Sequence, residues 1–326
     1  MDLSVCFVMD PIEDVLLDKD TTLVLMLECQ RRGHRVAVVE TPGLFLEGGR
    51  LYGRIREVAL DLSARPFFSI LRRGIEPLDA FDVVWMRKDP PFDTAYVFAT
   101  MQLLHLPPST LVMNDPRGIL LANEKLYALH FPEVIPGQIV TCDRRLLREF
   151  LDRAGGVMIL KPLDAAGGEG VFLLRRGDTN LSGILDFSTA YGTKYVMAQH
   201  YIPEAREGDK RVILLDGEPI GAVLRVPPQG DHRGNIHIGA SVRKAEITPR
   251  DREIAAYLAP RLRADGLYFV GLDILGGLLS EVNVTSPTGV QEINRLDGVR
   301  LETRIIDFME TRLAQRRGET KEETNR

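Results

Sequence analysis

Apolar runs of strand length alternate with amphipathic stretches along the first third of the chain. Residues 3–9 form a short apolar run, and residues 35–39, 81–86 and 110–113 repeat it. Between the first two, Leu23, Met26, Leu27 and Gln30 fall at helical spacing within residues 21–32, and Gly33 supplies a stop signal. A second helix is predicted over 96–106, with Pro107 and Pro108 marking the loop after it. Asn114-Asp115-Pro116 ends a strand and opens a further helix over 117–129. Alternating strands and helices predict a parallel sheet covered on both faces.

The texture changes after about residue 136. Strand-like runs at 157–161, 171–175, 195–199, 211–215, 222–226, 268–274 and 279–284 are separated by turns such as Asp216-Gly217 and Gly276-Gly277. Such short connections predict antiparallel pairing. Helical periodicity returns only at 144–153 and at 249–265, where Ile254, Tyr257, Leu258, Arg261 and Leu262 share a face. No internal repeat is found, and the charged tail after Leu313 is expected to fray.

Composition narrows the function classes. At 326 residues the chain is long enough for two or three lobes. A net charge of −5, with both signs interleaved, argues against general nucleic-acid or membrane-surface binding, which needs a basic excess. The three cysteines, Cys6, Cys29 and Cys142, show neither metal-ligand spacing nor a disulfide framework, as expected for a reducing, cytoplasmic setting. Asp2, Asp10, Glu13, Asp14 and Asp18 do not fit a secretory signal, and no apolar run reaches membrane-spanning length.

Candidate chemistry lies mostly in the second half. Glu281 and Asn283 are two apart on a strand-like run and project to one face, with Asp273 on the run before. Carboxylate and carboxamide oxygens suit magnesium, which commonly shares substrate phosphates; taken alone, the same residues would read as a solvent-facing strand edge. Lys161 precedes the glycine-rich turn Asp164-Ala165-Ala166-Gly167-Gly168-Glu169-Gly170, where backbone N–H groups could approach an anion. The turn is neither a Walker A loop nor a GxGxxG fingerprint, and in isolation it reads as a plain hairpin. Lys125 offers a second cation for the same triphosphate, or an ordinary solvated lysine. The strand ending in Gln199-His200-Tyr201-Ile202 could present backbone groups to an adenine, and His200 alone reads as a surface residue. The Pro/Gly-rich segment 225–235 has the texture of a lid or a disordered loop, and its Arg225 and Arg233 could stabilise charge on a transferred phosphoryl group. Arg87-Lys88-Asp89-Pro90-Pro91 and Asp10-Pro11 lie at C-terminal strand ends, where open α/β sheets bind ligands.

Taken together these stretches resemble the ATP-grasp superfamily, and within it prokaryotic glutathione synthetase. The resemblance is carried by Val8-Met9-Asp10-Pro11, Met86-Arg87-Lys88-Asp89-Pro90-Pro91-Phe92-Asp93, Asn123-Glu124-Lys125, Leu160-Lys161-Pro162-Leu163-Asp164, Gly208-Asp209-Lys210-Arg211, Arg233-Gly234-Asn235, Phe269-Val270-Gly271-Leu272-Asp273 and Glu281-Val282-Asn283-Val284-Thr285-Ser286-Pro287-Thr288. It implies an α/β and α+β chain, with a Rossmann-like parallel-sheet domain over 1–122 and a two-lobed ATP-grasp domain with antiparallel sheets over 123–316. A lid at about 226–241 and a flexible tail at 317–326 complete the expected organisation. It implies ligation of γ-glutamylcysteine and glycine with ATP and Mg²⁺ or Mn²⁺, in a homo-oligomer, often a tetramer. By the same resemblance Lys125, Lys161, Gly167, Gly168 and Asp209 belong to the nucleotide site, and Gln199, His200, Tyr201 and Ile202 to the adenine. Asp273, Glu281 and Asn283 would hold metal. Arg225, Arg211 and Arg233 are the expected catalytic cations, and Asp10, Arg87, Asp89, Ser286, Pro287 and Thr288 the substrate contacts. The Ala165-Ala166 and Glu169 variations and the segment 289–300 depart from the family pattern.

Two rivals follow from the same residues: a different ATP-grasp ligase, and a nucleotide-binding protein without catalysis. The first-half motifs argue against the former and the intact Asp273, Glu281 and Asn283 against the latter. Register adds one geometric expectation. A two-residue loop at Gly276-Gly277 would pair Asp273 with Ser280 and turn Glu281 to the opposite face. A shared metal site therefore predicts a three-residue loop, Gly276-Gly277-Leu278, with Asp273 opposite Glu281 and no ligand from Ser280.

Overall fold

Strand β1 (Ser4–Val8) is buried along almost its whole length, as a strand must be when helices cover both faces of its sheet. Its alternate side chains enter two different cores. Cys6 and Val8 pack with Ala37, Val39, Tyr96 and Leu103, whereas Val5 and Phe7 pack with Leu23, Met26, Ile305 and Met309. The computed structural model describes residues 2–165, 167–227 and 241–324.

In the first lobe β1 pairs in parallel with β2 (Arg35–Val39) and with β6 (Val83–Met86), and β6 with β7 (Leu111–Met113). Helix α1 (Thr21–Arg31) opens on Asp20, whose carboxylate accepts the Leu23 N–H at 2.8 Å, and closes on Gly33 at φ +84°. Helix α2 (Thr94–Leu103) opens in the same way on Asp93. The expectation of a wholly parallel sheet is corrected at one side. Residues 44–77 form three strands, β3 (Leu44–Glu47), β4 (Arg50–Leu60) and β5 (Phe68–Pro77), and β4 runs antiparallel to β2, β3 and β5. The helix expected over 117–129 stops early. Helix α3 covers Pro116–Leu121, and Asn123 then turns the chain, its side-chain oxygen accepting the N–H groups of Lys125 and Leu126.

The second lobe is a four-stranded antiparallel sheet in the order β10 (Phe172–Arg175), β9 (Val157–Pro162), β11 (Val196–His200), β8 (Gln138–Thr141). Helices α4 (Arg144–Arg153) and α5 (Leu181–Ser188) cover it through Leu147, Phe150, Leu151, Leu181 and Leu185. The third lobe is a second antiparallel sheet, ordered β14 (Ser241–Lys244), β13 (Glu218–Val226), β12 (Asp209–Leu215), β15 (Phe269–Leu275), β16 (Leu278–Asn283). The β12–β13 turn holds Asp216 and Gly217 at φ +50° and +79°, the conformation that an Asp-Gly hairpin demands.

Helix α6 (Pro249–Ala264) starts with a reciprocal cap between Thr248 and Asp251 and buries Ile254, Leu258 and Leu262. Helix α7 (Val290–Asp297) and helix α8 (Leu301–Thr324) close the chain, and α8 runs beyond Leu313 rather than fraying there. Its buried residues Ile305, Ile306 and Met309 join the core of β1 and α1. Arg32, which caps the C-terminus of α1, also pairs with Asp307 and Glu310 of α8, at 2.7 and 3.0 Å. The C-terminal helix therefore packs against the first lobe and braces it against the third. No helix among the described residues is long and apolar enough to cross a membrane.

Candidate active site

The two antiparallel sheets and the C-terminal edge of the first lobe surround one cleft of about 520 Å³. Its floor is the β15–β16 hairpin. Asp273 lies opposite Glu281 and Gly271 opposite Asn283, so the three candidate metal residues share a face. The loop is nevertheless not the expected one. Leu275 pairs with Leu278 around the two-residue turn Gly276-Gly277, both glycines at positive φ (+54° and +76°). The register is restored by a β-bulge: Ile274 pairs with Leu279, Asp273 with Glu281, and Ser280 is the extra residue. The bulged Ser280 hydroxyl accepts a 2.9 Å hydrogen bond from the Lys161 ammonium.

Lys125 and Lys161 converge on Glu281 from the first-lobe side and from β9, with Nζ–Oε1 separations of 4.0 and 3.8 Å. Lys125 also donates to the Ala165 carbonyl at 2.7 Å, which tethers the start of the glycine-rich turn. Both lysines are buried. Burial pulls the Lys161 pKa down, and Glu281 pushes back against it.

Asp273 is held by two arginines. Arg211 forks onto it, Nε to Oδ1 at 2.5 Å and Nη2 to Oδ2 at 3.1 Å, and Arg225 reaches Oδ1 at 2.9 Å. Arg225 also pairs with Asp209. Burial raises the Asp273 carboxyl, but Arg211 and Arg225 outweigh it and hold the group well below the usual carboxylate range. For Asp209 burial prevails over Arg225, and its pKa is pushed up to about 6. Arg225, Arg211, Asp273 and Asp209 thus form a buried chain of alternating charge along one wall, in which each charge has a counter-charge. Arg225 Nε and Asp209 Oδ1 are buried with no hydrogen-bond partner among the described residues.

The opposite end of the cleft is an apolar slot. Ile159, Val171, Ile202, Ala205 and Leu275 line it with Gln199, His200 and Tyr201. The Gln199 amide donates to the Gln138 side chain at 3.0 Å, and the His200 N–H donates to the Gly137 carbonyl at 2.8 Å. The His200 imidazole packs on Phe150, ring centroids 5.3 Å apart.

Among the expected substrate residues, Asp89, Ser286 and Thr288 line the cleft. Asp10 stands one step back, accepting the Asp89 N–H at 3.0 Å and pairing with Lys88 at 2.9 Å. Arg87 is buried behind the wall, where it donates to Thr22 at 3.0 Å and to the Pro287 carbonyl at 3.2 Å. The structure thus gives Arg87 and Pro287 a common role as a strut between the first lobe and the 285–288 loop. Gly167, Gly168 and Glu169 also line the cleft, as do the nucleotide candidates Lys125, Lys161 and Asp209. Arg233 and most of the expected lid at 226–241 lie outside the described residues.

Several cleft residues had no role assigned from the sequence, among them Glu124, Ser280, Glu292, Lys19 and Asp20. Glu124 is buried beside Lys125. It accepts the Thr285 hydroxyl at 2.9 Å, and burial together with nearby Glu281 raises its pKa to about 7. Ser280, expected only to stay off the metal face, gains its contact with Lys161 through the bulge. Glu292, in the first turn of α7, carries no sequence signal beyond its charge.

Comparison with known proteins adds the following. The family described as prokaryotic glutathione synthetase, N-terminal domain, matches residues 3–119, and the same family's ATP-grasp domain matches residues 124–298. The glutathione synthetase of Gloeobacter violaceus is 47% identical over 314 residues, 94% of this chain and 96% of that protein. That of Thermosynechococcus vestitus is 47% identical over 317 residues, 94% of this chain and 99% of that protein. In three dimensions the ATP-grasp ligase PsnB complexed with minimal precursor superposes with a TM-score of 0.62 at 18% identity, covering 97% of this chain and 99% of that one.

Proposed function

We propose a division of labour for the cleft from one premise: this chain belongs to the prokaryotic glutathione synthetase family, whose two domains together match it from residue 3 to residue 298. The reaction is the ATP-dependent ligation of glycine to the cysteinyl carboxylate of γ-glutamylcysteine, with ATP converted to ADP and phosphate. A carboxylate is a poor electrophile at neutral pH, so it is first phosphorylated, and the glycine amine then displaces phosphate from the acyl phosphate. The chain's own task is to hold anions together and to receive the charge that grows at the attacked carbon.

The observation that carries the assignment of roles is the convergence of Lys125, Lys161, Arg211 and Arg225 along one cleft whose far end is an apolar slot. The slot accepts the adenine, and Gln199 to Ile202 provide its polar edge. Lys125 and Lys161, with the Gly167-Gly168 turn, take the phosphates. Arg225 faces the acyl phosphate and the tetrahedral oxyanion, while Arg211 fixes Asp273 and donates at 3.2 Å to the Thr288 carbonyl in the substrate loop. Arg233 completes the cationic set by resemblance.

Asp273, Glu281 and Asn283 fit a magnesium or manganese site. They share a hairpin face and offer only oxygen, and the Asn283 amide nitrogen donates to the Gly271 carbonyl at 3.2 Å, leaving its side-chain oxygen for a cation. They are too few to enclose an ion, which suits a metal completed by ATP phosphates; among the described residues no three His, Cys, Asp or Glu side chains gather into a metal-holding group. When bound, the metal supplies charge screening between the two anionic substrates.

The organisation that accompanies this reading is a first domain over 1–122 and an ATP-grasp domain over 123–316, acting in the cytoplasm as a homo-oligomer such as a tetramer. The test is ADP release with γ-glutamylcysteine, ATP and magnesium. Glycine is expected to raise it strongly; equal stimulation by D-alanine or glutamate would overturn the glycine assignment.

A further inference from the structure

One wall of the cleft is acidic in a way the ligation chemistry does not use. Glu292 is only 3% exposed, yet it lines the cleft, and its Oε2 is buried with no hydrogen-bond partner among the described residues. A buried carboxylate oxygen is costly to leave without a donor, so a retained one marks a place where a donor arrives. Asp20 lines the same wall. One of its oxygens caps α1 through Leu23. Burial raises the pKa of both carboxyls, which is the signature of anionic sites lacking a sufficient cation.

The two acids are fixed relative to each other. The Gln291 amide donates to the Asp20 carbonyl at 2.6 Å, and Arg295 donates to the Asp18 carbonyl at 3.4 Å, so the first turn of α7 is tied to the segment that opens α1. Lys19, next to Asp20 in sequence, also lines the cleft, and it makes no ion pair among the described residues. The charges acting on Glu292 are those of Arg295, Lys19 and Asp18 rather than the phosphate-end lysines. Two carboxylates beside one free ammonium complement a zwitterion, a group with both −NH₃⁺ and −COO⁻.

We propose that Glu292 and Asp20 bind the α-ammonium of the γ-glutamyl residue, with Lys19 facing its α-carboxylate, and that this wall selects an unmodified amino-acid head on the peptide substrate. The assignment rests on the ligase reading above. Glycine's amine is the less suitable occupant, because it must attack as the free base and a pair of carboxylates would hold it protonated.

The test compares γ-glutamylcysteine with glutarylcysteine, the same molecule without its α-amino group, in steady-state assays with ATP, magnesium and glycine. The wild-type chain is expected to prefer the amine-bearing peptide by at least tenfold in kcat/KM. In Glu292→Gln the KM for γ-glutamylcysteine rises at least tenfold, the KM values for ATP and glycine stay within twofold, and the preference falls toward unity. Asp20→Asn, which keeps the helix cap, reduces the same preference and serves if Glu292→Gln does not fold. A preserved preference in both variants, or a rise in the glycine KM instead, would overturn the proposal. Wild-type chain without glycine-dependent turnover would defeat the ligase reading itself, and that failure shows before any variant is made.

Discussion

Asp273 and Glu281 face each other across the β15–β16 hairpin only because Ser280 is left out of the ladder. The Gly276-Gly277 turn alone would set Ser280 opposite Asp273, and a one-residue slip turns every later side chain to the other face. The bulge corrects the register and leaves a hydroxyl for Lys161 at 2.9 Å. Ser280→Ala is expected to leave the hairpin and the magnesium requirement intact. It removes one partner of a charged group, worth about 1 kcal/mol, or roughly a fivefold rise in the KM for ATP. A change in magnesium dependence without a change in ATP KM would place Ser280 at the metal instead.

Arg225 is the arginine that links Asp209 to Asp273. Arg225→Ala should lower kcat by about two decades or more while weakening ATP binding far less, as expected for a donor aimed at charge that develops during reaction. Arg225→Lys keeps the charge and loses the planar fork, so it should recover only part of the loss. A pure KM effect would reassign Arg225 to ground-state binding.

Glu281 stands between two lysines and opposite Asp273. Glu281→Gln is expected to raise the magnesium concentration for half-maximal activity by about tenfold or more, in line with the exchange of a charged carboxylate ligand for a neutral amide oxygen. Titration of activity against magnesium at fixed ATP decides the point. An unchanged midpoint would remove Glu281 from the metal set.

Glu28 carries a pH-dependent share of stability. Its carboxylate bonds Arg31, Arg32 and Arg300 at 2.7–2.8 Å, and hydrogen bonds from Arg31 and then Arg32 depress its pKa to about 2 against the opposing effect of burial. A depressed carboxyl stabilises the fold above the unfolded pKa, near 4.3, and that contribution is lost as the pH falls toward 2. Glu28→Gln should therefore lower the melting temperature at pH 7, by about 1–3 kcal/mol in stability, and converge on the wild type as the medium is acidified from pH 4.5 to 2. Parallel melting curves across that range would show that the pairs contribute through packing alone.

The sequence by itself determined the strand–helix alternation of the first lobe, the antiparallel texture of the rest and most of the nucleotide cleft. These are local signals. Apolar runs mark buried strands, Asp20 and Gly33 bracket α1, and Asp216-Gly217 sets its own turn. Motif residues such as Lys125, Lys161 and Asp209 were legible because each sits in a stretch with its own composition. The antiparallel strands at 44–77 were not legible, since polar and apolar residues on a half-exposed ribbon fit loop as well as strand. The early end of α3 was hidden for a related reason: its helical periodicity continues past Leu121, but Asn123 binds the backbone and turns it. Only tertiary structure decided that Ser280 bulges, that Arg87 braces two lobes behind the cleft wall, and that α8 packs on the first lobe. It alone brought Glu292 to the wall that Asp20 lines. Each depends on contacts between residues far apart in sequence, and a side chain's charge does not reveal which distant group will meet it, because that meeting is set by how whole elements pack.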